Sequence, residues 1–288
     1  MGIVERFWIG IYLASNSFWL LWQHKKLLIY LSGTAIAYFF IQLFLYNVPL
    51  FGFAGDEFMM LITLQGLHYS LEVAHWLYYV VLALATFGYI CVLTFFHIGL
   101  IKHTLAILRG NVDVSMRSIL MSCLLVWRAI LGWSALLTVI SLFAHLVAVS
   151  SSYVHRWLSP FSIVLVLILL IVWSLITYLV TPVIAAEKVS VWQAIKRSAL
   201  LVAIVLVEII GAQCWILLIT LLGIMPMVMI MHAISSQVGL SLLFVLMTWV
   251  VVCACYIVLS AQAVIRALLY ERCVQMTTSP IASWRMRH

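Results

Sequence analysis

The sequence predicts an all-α membrane protein with six transmembrane helices, and its composition and hydropathy pattern both lead to that class. Of the 288 residues, 67% are hydrophobic and 8% are charged, as expected for a chain whose main solvent is lipid. Each apolar run is long enough to cross a hydrocarbon core of about 30 Å as a helix. The six runs lie at about 27–48, 73–101, 122–149, 160–184, 200–230 and 238–265. We expect a single transmembrane domain over 1–270, because no polar stretch is long enough for a separate soluble domain.

The first apolar segment differs from these spans because bulky aromatic residues and a basic cluster dominate it. Trp8 and Trp19 lie within the run from Phe7 to Trp22, and Lys25 and Lys26 follow it. Large aromatic side chains favour the headgroup region, and the small-residue cleavage site of a signal peptide is missing. The segment is therefore predicted to be a retained interfacial helix at about 3–24.

Basic residues divide unevenly between the two sides of the predicted arrangement. One side receives the clusters around Lys25, Arg109 and Lys196 and a short basic tail at 271–288, whereas the opposite side has Arg156. The positive-inside rule then predicts a protein of the bacterial inner membrane with both termini on the cytoplasmic side. Two termini on the same side require an even number of spans. The formal net charge of +7 follows from this bias and from attraction to anionic headgroups, and we predict no nucleic-acid partner.

The cytoplasmic connections around 102–118 and 185–199 mix basic and apolar residues with helical period, which is typical of amphipathic helices lying on a membrane surface. We call such a segment an elbow helix. Met116-Arg117-Ser118 matches Lys196-Arg197-Ser198 at an offset of eighty residues. The pattern predicts three repeats, each an elbow helix followed by a hairpin of two spans. Chance similarity between leucine-rich segments is the alternative.

Two ionisable residues within the spans form the first candidate site. Arg128 and Glu208 each follow an Arg-Ser pair by eleven residues, so we expect them at equal depth as an intramembrane ion pair. One interpretation is a gate in which Glu208 releases Arg128 on protonation. The other is a static clasp between two spans, or an arginine that extends to the headgroups.

A second candidate site lies on the outer side, where histidines are frequent. His68, Glu72 and His75 follow helical spacing and share one helix face, which suits a transition-metal site or a pH sensor. The alternative is interfacial histidines without a ligand, because three ligands on one helix rarely complete a coordination shell.

The sequence contains no glycine-rich phosphate loop, no HExxH and no GxSxG motif, and its six cysteines have no paired spacing. Ser150-Ser151-Ser152 near His155 lacks a third group to orient a base, so it resembles a polar turn more than a catalytic site. We predict no enzymatic activity, no catalytic residue and no cofactor.

In layout, the chain resembles a family of uncharacterised six-span prokaryotic membrane proteins, a domain of unknown function. The resemblance depends on Thr181-Pro182-Val183, Ala194-Ile195-Lys196-Arg197-Ser198, Ile265-Arg266-Ala267-Leu268-Leu269-Tyr270 and the segment from Ser17 to Lys26. The chain is also similar in layout to the membrane domain attached to some glycerophosphodiester phosphodiesterases. The catalytic domain of those enzymes has no counterpart here, so the resemblance implies no hydrolase activity.

Three functional hypotheses follow from these observations. The first is a non-enzymatic inner-membrane protein that acts as a scaffold, lipid-interacting protein or accessory subunit of an envelope process. Its expected partners are membrane lipids, including anionic headgroups, and another membrane protein. The second is a small-solute permease or channel with the pair Arg128–Glu208 near its inner gate. The third is a metal-binding or pH-sensing protein that uses the outer histidines.

Overall fold

In the computed structural model, all regular structure among the described residues is helical, and these residues contain no β-strand. The structure describes residues 2–30, 32–33, 71–111, 113–153, 159–227, 229 and 242–278. The predicted all-α class is confirmed for this part of the chain. Its helices are α1 (Ile3–Gln23), α2 (Leu71–Leu108), α3 (Met116–Leu124), α4 (Trp127–Tyr153), α5 (Ser159–Ile176), α6 (Val180–Glu187), α7 (Val191–Ile219) and α8 (Leu242–Thr278).

Three of the described helices are long and apolar enough to cross a membrane. They comprise Ala83–Leu108, Val191–Met227 and Cys253–Thr277, and the bent pair α3–α4 makes a fourth if it counts as one span. These helices match four of the predicted spans, whereas most of the span predicted at 27–48 lies outside the described residues. A multi-pass membrane protein is therefore supported, and the number six stays a prediction.

The structure divides into two compact units. The first comprises Met1–Ser32, Phe96–Ala129 and Ile171–His288, and the second comprises Gly33–Phe95 and Ile130–Leu170. Within the first, α7 is central and contacts α1, α6 and α8. Within the second, the hydroxyl of Ser134 on α4 donates to the hydroxyl of Thr94 on α2 at 3.4 Å. Both side chains are buried, and such polar contacts between helices are common inside membranes.

Helix α7 joins a predicted elbow and a predicted span in one element. It begins after Ser190, whose side chain caps the helix together with that of Gln193. With the following π-helical turn Thr220–Ile224 it forms a candidate span of 37 residues, or about 55 Å, which exceeds a hydrocarbon core of about 30 Å. Its backbone leaves helical geometry at Val205 (φ −114°, ψ 22°), so the first fourteen residues form a separate arm.

The elbow predicted around 102–118 begins later than expected. Helix α2 continues through Leu108, and Gly110 ends it with a positive φ of 88°, a conformation that glycine adopts at little steric cost. Helix α3 follows from Met116, and α4 turns away from it by 71° after a break at Leu125 and Val126.

The span predicted at 160–184 is not one continuous helix. It is divided into α5 and α6 by a turn at Thr177–Leu179. Pro182 explains the break, because in a continuous helix its ring would clash with the carbonyl of the residue four positions earlier, Tyr178. Ser198 of α7 stabilises the turn, since its hydroxyl donates to the Ile176 carbonyl at 2.8 Å and accepts from the Leu179 amide at 3.1 Å.

Replacing Ser198 with alanine is expected to destabilise this turn. The change leaves two backbone groups at a buried helix break without their partner, a loss of about 1–3 kcal/mol. Ser118 provides a matched control, because it occupies the corresponding position of the proposed repeat and is exposed. Tryptophan fluorescence during unfolding in mixed detergent micelles should show a lower stability for Ser198→Ala and a change within about 0.5 kcal/mol for Ser118→Ala. Equal effects would contradict the role of Ser198.

The last helix is longer than the predicted span at 238–265. Helix α8 continues to Thr278, so the first part of the predicted tail at 271–288 is helical. Cys273 is fully buried there, and its thiol lies 3.8 Å from the Leu201 carbonyl of α7. The additional turns therefore pack against α7 within the first unit, which explains why the helix extends beyond the apolar run.

Candidate functional site

Helices α1 and α7 pack through faces made of small residues. The α1 residues that contact the interior recur at helical spacing, and Gly10, Ala14, Ser17 and Leu21 are all buried. The Ser17 hydroxyl donates to the Ala14 carbonyl at 2.6 Å, so this face exposes no unpaired polar group. Small residues allow the backbones of two helices to approach each other closely, as is common in membranes.

The closest approach is at two glycines, one on each helix. A Cβ atom at Gly10 would overlap the carbonyl of Glu208, and a Cβ atom at Gly211 would overlap the carbonyl of Phe7. Both obstacles are backbone atoms, which cannot move without separating the helices. The two positions therefore require glycine for contact between helices.

An ion pair lies beside this contact. Arg6, one turn before Gly10, donates from Nε to Glu208 Oε1 and from Nη2 to Oε2, each at 2.8 Å. This bidentate geometry is the strongest form of the arginine–carboxylate interaction. The Glu208 side chain is 0% exposed, whereas that of Arg6 is 29% exposed. The carboxylate is therefore inside the packed unit, and the guanidinium covers it from the α1 side.

Arg6 also bonds to the backbone of α7 near its distortion. Its Nη2 donates to the Ile204 carbonyl, next to the non-helical residue Val205. The hydrogen bonds to Glu208 raise the pKa of Arg6 above its already high ordinary value, so the guanidinium stays charged at any physiological pH. We call Arg6, Glu208 and the Ile204 carbonyl the clasp.

The partner predicted for Glu208 was wrong. Among the described residues Glu208 pairs with Arg6, not with Arg128. Arg128 is exposed at the start of α4, with its guanidinium carbon 5.7 Å from the centre of the Trp127 ring. The prediction paired Arg128 with Glu208 because they were expected at equal depth in their spans. It did not consider the N-terminal helix as a source of the partner. The missed signal is the stripe formed by Arg6, Gly10 and Ala14 at intervals of four residues, which indicates a helix face made for close packing.

Two further ion pairs each join a residue at the end of one helix to a residue within another helix of the first unit. Glu271 of α8 accepts from Arg109, just after α2, at 3.0 Å. Glu187 at the end of α6 lies 3.6 Å from Arg197 of α7 and accepts from the Tyr270 hydroxyl at 3.0 Å. Each pair is partly exposed and adds little stability on its own. Because each pair joins two helices, a structural role is indicated.

The predicted outer site at His68, Glu72 and His75 lies outside the described residues. His68 is in a segment that the structure does not describe, and for Glu72 and His75 it describes the α2 backbone without the side chains. In the described part of the chain, no group of three or more His, Cys, Asp or Glu residues is placed to hold a metal ion. The metal hypothesis thus stays a prediction.

The clasp engages both oxygens of the Glu208 carboxylate. Both carboxylate oxygens of Glu208 accept from the guanidinium, and the backbone of α1 covers the same turn of α7. Each oxygen gives one of its two lone pairs to Arg6, and the Glu208 side chain is 0% exposed, so its remaining lone pairs face the packed interior. The arrangement therefore suits helix packing.

Comparison with models of known protein families, with characterised proteins and with solved structures finds no match to this chain.

Proposed function

We propose that the chain is a non-enzymatic, six-span protein of the bacterial inner membrane that acts as a lipid-interacting scaffold or accessory subunit of an envelope process. In this proposal both termini are cytoplasmic, and the elbow helices are the surfaces that meet the lipid headgroups. The composition and the candidate spans support membrane insertion. The lipid-binding role depends on the outer face of α1.

That outer face is a stripe of aromatic residues opposite the small residues that contact α7. Its members recur at helical spacing and are each more than half exposed; they are Trp8, Tyr12, Trp19 and Trp22. Trp22 is 78% exposed, and Lys25 and Lys26 follow three and four residues later. Tryptophan and tyrosine are enriched at membrane interfaces, where lysine meets anionic headgroups. We call these four residues and two lysines the α1 lipid face.

The arm of α7 supports the same role. Trp192 is 70% exposed near its start, and Lys196 and Arg197 follow within two turns. Aromatic and basic residues thus recur in the order found on α1, which is expected if both segments are elbow helices on one side of the membrane.

The breaks after two elbows support the proposed repeat. Helix α3 ends in a break at Leu125, and α7 leaves helical geometry at Val205, eighty residues later. The same offset relates Met116-Arg117-Ser118 to Lys196-Arg197-Ser198. Each elbow would then change direction at the same point before entering the hydrocarbon core.

The clasp interpretation of Glu208 fits a scaffold better than a gate. A gate requires an alternative position for at least one partner, whereas Glu208 is enclosed by α1 on the side where its partner lies. In this proposal the clasp fixes α1, and α1 in turn holds its lipid face at a constant depth.

The experiment compares lipid enrichment around variants of the full-length protein. Protein is extracted into nanodiscs from a mixture of phosphatidylglycerol and phosphatidylcholine with identical acyl chains, and the retained lipids are quantified by mass spectrometry. The wild type is expected to enrich phosphatidylglycerol. The double variant Lys25→Gln/Lys26→Gln should lose about tenfold or more of this preference, since each basic residue near a membrane contributes about 1 kcal/mol.

Phe143→Ala is the matched control, because Phe143 on α4 is as exposed as the aromatic residues of α1 but lies outside the elbows. It should leave the phosphatidylglycerol preference unchanged, whereas Trp19→Ala/Trp22→Ala should reduce total lipid retention. A wild-type protein without any lipid preference would contradict the proposal.

A further inference from the structure

We infer that Lys102 is a positioning residue that imposes the break between α3 and α4, because it bonds to a carbonyl that the break deprives of its helical donor. The break is then a conformational device. With the lysine contact, the segment is divided into an elbow and a span; without the contact, it becomes one continuous helix. This role of Lys102 concerns the shape of the segment and is independent of the proposed lipid-interacting function.

The local sequence does not explain this break. Sharp helix kinks are almost always found at proline, at glycine and serine pairs, at π-helical turns or where a side chain inserts into the backbone ladder. The segment 116–131 contains neither proline nor glycine, whereas Pro182 explains the turn between α5 and α6. The Ser122 hydroxyl donates to a carbonyl of the preceding turn at 2.6 Å, but Thr104 and Thr138 form similar bonds inside α2 and α4 without a break. An inserted side chain is therefore the remaining cause.

The backbone bonds at the break show which carbonyl loses its partner. In a continuous helix, the Val126 amide would donate to the carbonyl four residues earlier, that of Ser122. At the break this amide donates instead to the Cys123 carbonyl at 3.0 Å. Lys102 Nζ takes its place, since it donates to the Ser122 carbonyl at 2.7 Å and to the Ser122 hydroxyl oxygen at 3.2 Å. Because Lys102 belongs to α2, the replacement donor comes from another helix.

Burial makes a replacement donor necessary. Cys123 and Val126 are buried at the break, and the Lys102 side chain is half-buried. A carbonyl in such surroundings needs a hydrogen-bond donor, because water has little access to replace a lost backbone bond. If the lysine donor is removed, the Ser122 carbonyl regains a donor when the Val126 amide returns to it. That exchange makes the helix continuous across the break.

Helix α7 shows the same arrangement at its own distortion. The segment 194–210 also lacks proline and glycine. The backbone leaves helical geometry at Val205, and Arg6 of α1 donates to the Ile204 carbonyl directly before it. At corresponding positions of the proposed repeat, a basic side chain from another helix is thus bonded to a carbonyl beside the break. This recurrence supports a causal role for the basic side chain.

The experiment measures the distance between two spin labels across the break in the full-length protein. The labels are carried by genetically encoded amino acids, so the native cysteines stay in place. Met121 and Arg128 are suitable positions because both are exposed and they are seven residues apart. In a continuous helix this spacing corresponds to about 10.5 Å along the axis, which continuous-wave EPR can measure. Labels at Gln193 and Leu200 provide the reference, since they have the same spacing and exposure within the uninterrupted part of α7.

We expect the wild-type distance across the break to differ from the reference distance. Lys102→Met keeps the length of the side chain but removes the donor, so it should shift the distance to the reference value. Lys102→Arg retains a donor and should keep the wild-type distance. Lys196→Met is the matched control, since Lys196 is an exposed lysine of α7, and it should also change nothing. A Lys102→Met protein with the wild-type distance overturns the role of Lys102.

A measurement on the wild type keeps the test decisive if Lys102→Met does not fold. Ser122 and Cys123 form the one Ser-Cys pair of the sequence. Carbon-13 in serine carbonyls and nitrogen-15 in cysteine amides therefore select the Ser122 carbonyl in solid-state NMR spectra. With nitrogen-15 also in the lysine side chains, dipolar recoupling should detect an Nζ atom within about 4 Å of this carbon. Spectra without that contact would show that the lysine does not replace the helical donor and would overturn its role.

Discussion

Replacing Gly10 or Gly211 with alanine is expected to separate α1 from α7 and to destabilise the protein by about 1–3 kcal/mol or more. The added methyl group would overlap the Glu208 carbonyl in one variant and the Phe7 carbonyl in the other. In an ordinary helix, replacing glycine with alanine stabilises the helix by up to about 1 kcal/mol. The intrinsic helix propensity therefore opposes the destabilisation expected here. A loss of stability therefore reports the contact itself.

Gly88→Ala is the control, because Gly88 lies within α2 and nothing lies within 4 Å of its added Cβ atom. It should be neutral or slightly stabilising when unfolding is followed by tryptophan fluorescence in mixed micelles. The contact between α1 and α7 would be contradicted if Gly10→Ala and Gly211→Ala behaved like Gly88→Ala.

Removing Arg6 is expected to cost more than removing its partner. Arg6→Gln leaves the fully buried Glu208 carboxylate without its cation, and breaking a buried pair in this way costs about 3–5 kcal/mol. Glu208→Gln should cost less, since Arg6 is 29% exposed and its long side chain can extend toward water or headgroups. Unfolding free energies of the two variants in the same micelles provide the comparison.

Arg128→Gln controls for the loss of an arginine as such, and it should change stability by less than about 0.5 kcal/mol because Arg128 is exposed. An equal cost for Arg6→Gln and Arg128→Gln would show that Arg6 has no special role. A greater cost for Glu208→Gln than for Arg6→Gln would contradict the burial of the carboxylate.

The class of the protein and several helix positions could be predicted from the sequence because they depend on local composition. Apolar runs, charge bias and the aromatic segment are visible along the chain, and α1 at Ile3–Gln23 matches the helix predicted at about 3–24. The turn between α5 and α6 was missed although Pro182 indicated it, because hydropathy alone does not register a missing backbone donor.

The candidate site was predicted only in part because its partners are far apart in sequence. Glu208 stood out as a carboxylate in an apolar run, but Arg6 is 202 residues away and reaches it only through the packing of α1. Neither Gly10 nor Gly211 indicates a helix contact when it is considered alone in the sequence. Their role in close packing is evident only from the three-dimensional contact between the two helices.

The most direct test of the clasp is a pair of double-mutant cycles that share Glu208→Gln. One cycle combines it with Arg6→Gln and the other with Arg128→Gln, and each yields a coupling free energy from four unfolding measurements. The structure predicts a coupling of about 1–3 kcal/mol for Arg6 and a value within about 0.5 kcal/mol of zero for Arg128. A large coupling to Arg128 with none to Arg6 would contradict the clasp and with it the fixed position of α1.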